Sequence, residues 1–167
     1  WLWGLLFSVG LAIVAATQIA FIGWGVKISA LDFQGFSGHS MRTAAVMPLL
    51  FYLTLQNASR SLRISGVLFG ILFAAMMGFA VSAHDTHSAS EAIGGCALGY
   101  AISLGFIALS RPMKQPALDH SVAVTIGFGV VAAIIGTTTL MTDRTYGWMT
   151  HIARSLSGTE KPYVREF

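Results

Sequence analysis

The sequence predicts an all-α fold, an integral membrane helical bundle of about five transmembrane helices. Of its 167 residues 54% are hydrophobic and only 10% are charged, a balance that water-soluble domains seldom show. Mean hydropathy is +0.69. The apolar residues also gather into windows of about 20, the length needed to cross a hydrocarbon core of roughly 30 Å, and polar clusters separate them.

These windows run Trp1 to Gly25, His39 to Gln56, Ile64 to Ala83, Glu91 to Leu109 and Val122 to Met141. The first is as long as a full span and lacks a small-residue cleavage pattern, so a membrane helix is expected rather than a cleaved leader. The second contains Pro48, which a membrane helix tolerates when a neighbouring helix satisfies the carbonyl that proline leaves unpaired. A tight turn over Asn57 to Arg63 makes the second and third helices a hairpin. In the fourth, Gly95-Cys96-Ala97-Leu98-Gly99 has the small-xxx-small spacing that lets helix backbones approach closely. Cys96 is the single cysteine and reads as a small packing residue without redox chemistry. Residues 1–141 form the bundle. The tail, 142–167, carries a linker-like polar stretch from Ser155 to Pro162, with an ending that is disordered or lies on the surface.

Lysine and arginine in short loops set the orientation. Arg60 and Arg63 in the first turn, with Arg111 and Lys114 in the loop Ser110 to His120, mark the cytoplasmic side. Lys27, Asp32, Asp85 and Glu91 fall on the other. The N-terminus then starts inside and the tail ends outside, although Arg144, Arg154, Lys161 and Arg165 in the tail oppose that last placement. The expected location is a bacterial inner membrane. The net charge of +3 is spread over loops and tail, which fits attraction to a membrane surface and gives no case for nucleic acid.

Two polar clusters interrupt the apolar sequence, Ser37-Gly38-His39-Ser40 and His84-Asp85-Thr86-His87-Ser88-Ala89-Ser90-Glu91. The hairpin returns the chain to its starting face, so the clusters are expected to meet there. Unpaired amides at the start of the second helix, with its dipole, suit an anion such as phosphate. Gly38 lets a ligand come close to the backbone, and Ser37 or Ser40 can cap the helix. His87 and Glu91, four apart, share a helical face. A carboxylate on one imidazole nitrogen fixes the tautomer and makes the other nitrogen more nucleophilic.

These residues resemble the type 2 phosphatidic acid phosphatase superfamily, whose three motifs are Lys-x6-Arg-Pro, Pro-Ser-Gly-His and Ser-Arg-x5-His-x3-Asp. Phe36-Ser37-Gly38-His39 is similar to the second motif with Phe for Pro. His87-Ser88-Ala89-Ser90-Glu91 is similar to the end of the third with Glu for Asp, and Gly94, Gly95 and Gly99 follow. The resemblance covers about 27–99. It implies that His87 attacks phosphorus, Glu91 orients it and His39 protonates the leaving oxygen, with Lys27, Ser37, Gly38 and Arg42 on the substrate side. The implied function is hydrolysis of a lipid phosphate or diphosphate at the outer membrane face, through a phosphohistidine and with no metal or cofactor. Departures accompany it. Val81 stands where the third motif has arginine, and Gln34 and Gly35 stand where the first has Arg-Pro.

Those departures keep a second reading open, a non-catalytic member of the fold that binds a protein partner in a membrane complex. A third is a metal or haem protein using His39, His84, Asp85, His87 and Glu91. In the first reading the partners are membrane lipid and the lipid phosphate substrate.

Overall fold

Helix caps and apolar runs divide the chain much as expected. The computed structural model describes residues 1–83, 87–110, 142–159 and 161–164, with the isolated helical positions 122, 125 and 129. Within them lie α1 (Leu2–Trp24), α2 (Gly38–Thr54), α3 (Arg60–Ala83), α4 (Ala89–Ser110) and α5 (Thr142–Ser157), plus a 3-10 turn at Ser29–Leu31. No strand occurs among the described residues. The window Val122 to Met141 lies almost wholly outside them.

α1, α3 and α4 are each long and apolar enough to cross a membrane, so this is an integral membrane protein of all-helical fold. Their outward faces carry Leu5, Val9, Leu68, Phe69, Leu72 and Phe79, all exposed. In water such a surface would be an aggregation liability, whereas acyl chains solvate it. α2 is different. Its 17 residues rise about 26 Å, and it runs between α3 and α4 as the enclosed centre of the bundle. Met41, Ala44 and Ala45 are fully buried there.

Because lipid tails are as apolar as the side chains, helix association here depends on close packing and hydrogen bonds rather than on transfer from water. The α2–α4 seam uses both. A Cβ on Gly95 would strike the Ser37 carbonyl oxygen, and one on Gly99 would strike the Met41 oxygen, Ala44 Cβ and Ala45 nitrogen, so only glycine permits this approach. Pro48 lies inside α2 and has no N–H to offer the carbonyl of Ala44, four residues earlier. Ser103 Oγ of α4 donates to that oxygen instead, at 3.0 Å. The expected tolerance of the proline thus has a named partner. Tyr100 likewise ties α4 to α3 by donating to Ile71 O at 2.7 Å.

Two boundaries differ from the sequence expectation. α3 begins at Arg60 rather than near Ile64, since Ser59 caps it through Leu62 N at 3.3 Å and draws both arginines into the first turn. In the tail, Ser155–Ser157 close α5 instead of opening a linker. Beyond them Thr159 Oγ1 donates to Gly23 O at 3.3 Å and Tyr163 N to Ile22 O at 3.0 Å. These are carbonyls of the last turn of α1, which have no partner within their own helix, and the returning tail satisfies them.

Candidate active site

At one end of the bundle the N-termini of α2 and α4 lie side by side. Ser37 caps α2, its Oγ accepting from Ser40 N at 3.4 Å, and Ser88 caps α4 by accepting from Glu91 N at 3.3 Å. The two helix starts are joined directly, because Ser37 N donates to Glu91 O at 3.1 Å. Both dipoles therefore place their positive ends here.

The first turn of α4 sets His87 four residues before Glu91, and the two side chains meet. His87 Nδ1 donates to Glu91 Oε2 at 2.7 Å, a charge-assisted length. Glu91 is 1% exposed, and a carboxylate so buried requires more than one donor. The second comes from the loop between α1 and α2, where Gln34 N donates to Oε1 at 2.9 Å. With Nδ1 donating to the carboxylate, the Nε2 side of the His87 ring is the one left for other chemistry. The His39 ring lies 6.3 Å away, centre to centre, at 61° to that of His87.

The loop that supplies Gln34 is itself pinned. Ile28 and Phe33 pair across the 3-10 turn, and Ser90 Oγ donates to Asp32 O at 3.3 Å. From α1, Gln18 Nε2 donates to Phe36 O at 2.9 Å, while Thr17 Oγ1 accepts from Phe36 N at 3.2 Å. Gly35 has φ +149° and sits over Thr17 and Gln18. Proline, locked near φ −65°, cannot follow this path, which gives a backbone reason for its replacement at that position.

The remaining sequence candidates separate. Ser37 is fully buried and acts as a cap. Gly38 uses its carbonyl to hold Arg42, whose Nε donates to it at 3.1 Å. The half-buried Arg42 side chain thus turns back towards the start of α2 rather than down the helix, and its other N–H groups bond to no described residue. Lys27 is exposed on the loop and makes no hydrogen bond or ion pair with a described residue. His84 and Asp85 lie outside the described residues; among the described ones no group of three His, Cys, Asp or Glu comes together as a metal site.

Sequence reasoning missed Thr17, Gln18 and the Gln34 amide. The first two had a visible signal, since a polar pair in an otherwise apolar span is costly unless it has partners. The Gln34 amide had none.

Fold and site together define a helical membrane protein with a histidine–carboxylate couple facing a second histidine. Residues 19–114 match the PAP2 superfamily, and the chain belongs to that family. It is also 35% identical over 170 residues, 99% of this chain and 79% of the relative, to an uncharacterized 22.5 kDa protein in the cps region of Klebsiella pneumoniae. No solved structure matches it.

Proposed function

We propose that this protein hydrolyses a phosphate or diphosphate ester of a membrane lipid. The observation that carries the reading is the His87–Glu91 bond of 2.7 Å, with the buried carboxylate fixed from its other side and His39 across from it. Nε2 of His87 attacks phosphorus, forming the N–P bond as the bond to the leaving oxygen breaks. His39, as imidazolium, gives its proton to that oxygen. Water, deprotonated by the now neutral His39, then attacks the phosphohistidine, releasing phosphate and restoring His87. Glu91 holds the tautomer and stabilises positive charge on the ring as it develops. Two helix N-termini and Arg42 face the phosphoryl oxygens, where positioned charge contributes most of the acceleration in such transfers.

The site is proposed to face the periplasm of a bacterial inner membrane. Support comes from Arg60 and Arg63 at the opposite end of the hairpin. Cysteines placed at Ser37 and Ser88 should label from the same outer side and one at Ser61 only from the cytoplasm.

Phosphate release from a panel of lipid phosphates tests the chemistry. His87→Ala should bring it to background, a loss of at least about a thousandfold for removal of a nucleophile. His39→Ala should let phosphohistidine accumulate when the leaving group needs no proton.

One observation favours a second reading. Val81, Gln34 and Gly35 occupy positions where the family motifs place cationic or rigid residues, and Lys27 is exposed, which leaves Arg42 as the nearby cation among the described residues. A non-catalytic partner subunit would release no phosphate from any lipid, and His87→Ala would leave its cellular role intact.

A further inference from the structure

Among the described helices α5 alone is strongly two-faced. Its 16 residues reach about 24 Å, short of the roughly 30 Å hydrocarbon layer, and His151 and Arg154 would be expensive at membrane depth. It therefore does not span. Part of its apolar side is spent on the bundle, where Met149 and Ala153 pack against Ile19, Phe21 and Ile22 of α1. Beside that contact runs a second apolar stripe, Trp148, Ile152 and Leu156, one helical turn apart and 73%, 41% and 65% exposed. Thr150, His151 and Arg154 occupy the far side, along an open cleft of about 820 Å³.

The contact with α1 fixes the depth of this stripe. α1 is 23 residues long, about 34 Å of helix, so its last turn, Phe21 to Trp24, lies where hydrocarbon gives way to headgroups. α5 and the tail are held at that turn by the Ala153 packing and by the two hydrogen bonds onto Ile22 O and Gly23 O. Trp24 is half-exposed at the same level, and tryptophan rings concentrate there because one edge is apolar and the other can hydrogen bond. An outward apolar stripe at this depth, backed by a basic polar face, has the pattern of a helix lying in the interface.

We propose that α5 is an in-plane interfacial helix that docks on the phospholipid surface at the candidate site's end of the bundle. Trp148, Ile152 and Leu156 enter the upper acyl region, while Arg154 and His151 face headgroups and water. The occupant of the stripe is lipid, not a second copy of the chain and not solvent. The placement also accounts for a basic tail on the side where the loops carry little positive charge, because Arg154 and Lys161 then sit among phosphates.

The test uses the full chain in vesicles of phosphatidylcholine and phosphatidylglycerol, with Trp1, Trp3 and Trp24 changed to Phe so that Trp148 alone reports. Lipids brominated high on the acyl chain should quench its emission on the order of twofold, and lipids brominated near the chain end should quench less, as expected for burial of about 5–10 Å. Quenching by aqueous iodide instead would put the stripe in water. Insensitivity to both quenchers would mean that protein covers it. Either result overturns the proposal. Trp3 stacks on Phe7 at 4.9 Å and its loss could harm folding, so nitroxide labels on Leu156→Cys and Arg154→Cys with native tryptophans give an independent measurement. Oxygen should relax the label at 156 and a soluble nickel chelate the label at 154; the reverse pattern overturns the proposal. Neither readout involves phosphate turnover, so failure here is distinct from failure of the phosphatase reading.

Discussion

α2 and α4 meet twice, along their bodies and at their starts, and the two contacts work by opposite means. Along the bodies, Gly95 and Gly99 let the backbones close to a distance that no side chain fits, and one hydroxyl satisfies the carbonyl freed by Pro48. At the starts, hydrogen bonds join the helices beside the packing of Phe36 on Gly94. A buried carboxylate collects donors from His87 and from a loop that α1 holds in place. The first contact fails when volume is added. The second fails when a polar partner is lost, because the group left behind is buried.

Adding volume to the seam should give the largest effect on folding. Gly99→Leu places a branched side chain against the Met41 oxygen and the Ala45 nitrogen, main-chain atoms that cannot rotate aside. The expected cost is about 3 kcal/mol or more, read as loss of monodisperse folded protein in detergent. If Gly99→Leu is as stable as the parent, the seam is looser than the structure has it and the comparison breaks.

Next comes the carboxylate. Glu91→Gln keeps size and one acceptor oxygen but cannot hold both donors, so folded protein should persist while phosphate release falls on the order of ten-thousandfold, as for the neutral amide replacement in the serine-protease triad. Equal activity would remove the orienting role from Glu91.

A smaller effect separates the two basic residues. Arg42, turned back onto Gly38, should cost about thirtyfold when changed to alanine, equivalent to about 2 kcal/mol for a charge-assisted contact with phosphate. Lys27→Ala, at an exposed side chain without a partner among the described residues, should change the rate by less than about twofold, in line with surface charges in general. The reverse order would mean that the loop moves Lys27 inward when substrate binds.

An effect smaller than that of Arg42 tests whether the loop acts through Glu91. Gln18→Leu removes one hydrogen bond to Phe36 O, worth about 1 kcal/mol, and should lower kcat by up to about fivefold with little change in KM. A change confined to KM would assign Gln18 to substrate binding instead.

What the sequence determined by itself is what contiguous residues encode. Apolar runs of span length gave α1, α3 and α4, the small-xxx-small pattern marked the face of α4 that touches α2, and the four-residue step from His87 to Glu91 put both on one helical face. Serines at 37 and 88 ended the loops before α2 and α4. These are local rules of helix period and capping, and they hold whatever surrounds the helix. Only the tertiary structure decided the rest. The donor that completes Glu91 is a main-chain amide 57 residues away, and every residue but proline has one, so side-chain identity at Gln34 carries no signal of it. That Arg42 turns back towards the start of α2 while Lys27 stays exposed depends on which way a side chain folds once Gly38 offers its carbonyl. α5 shows the same division. Its two faces are written in the sequence, but whether the apolar one turns to protein or to lipid follows from where α1 ends and which carbonyls there still need a partner.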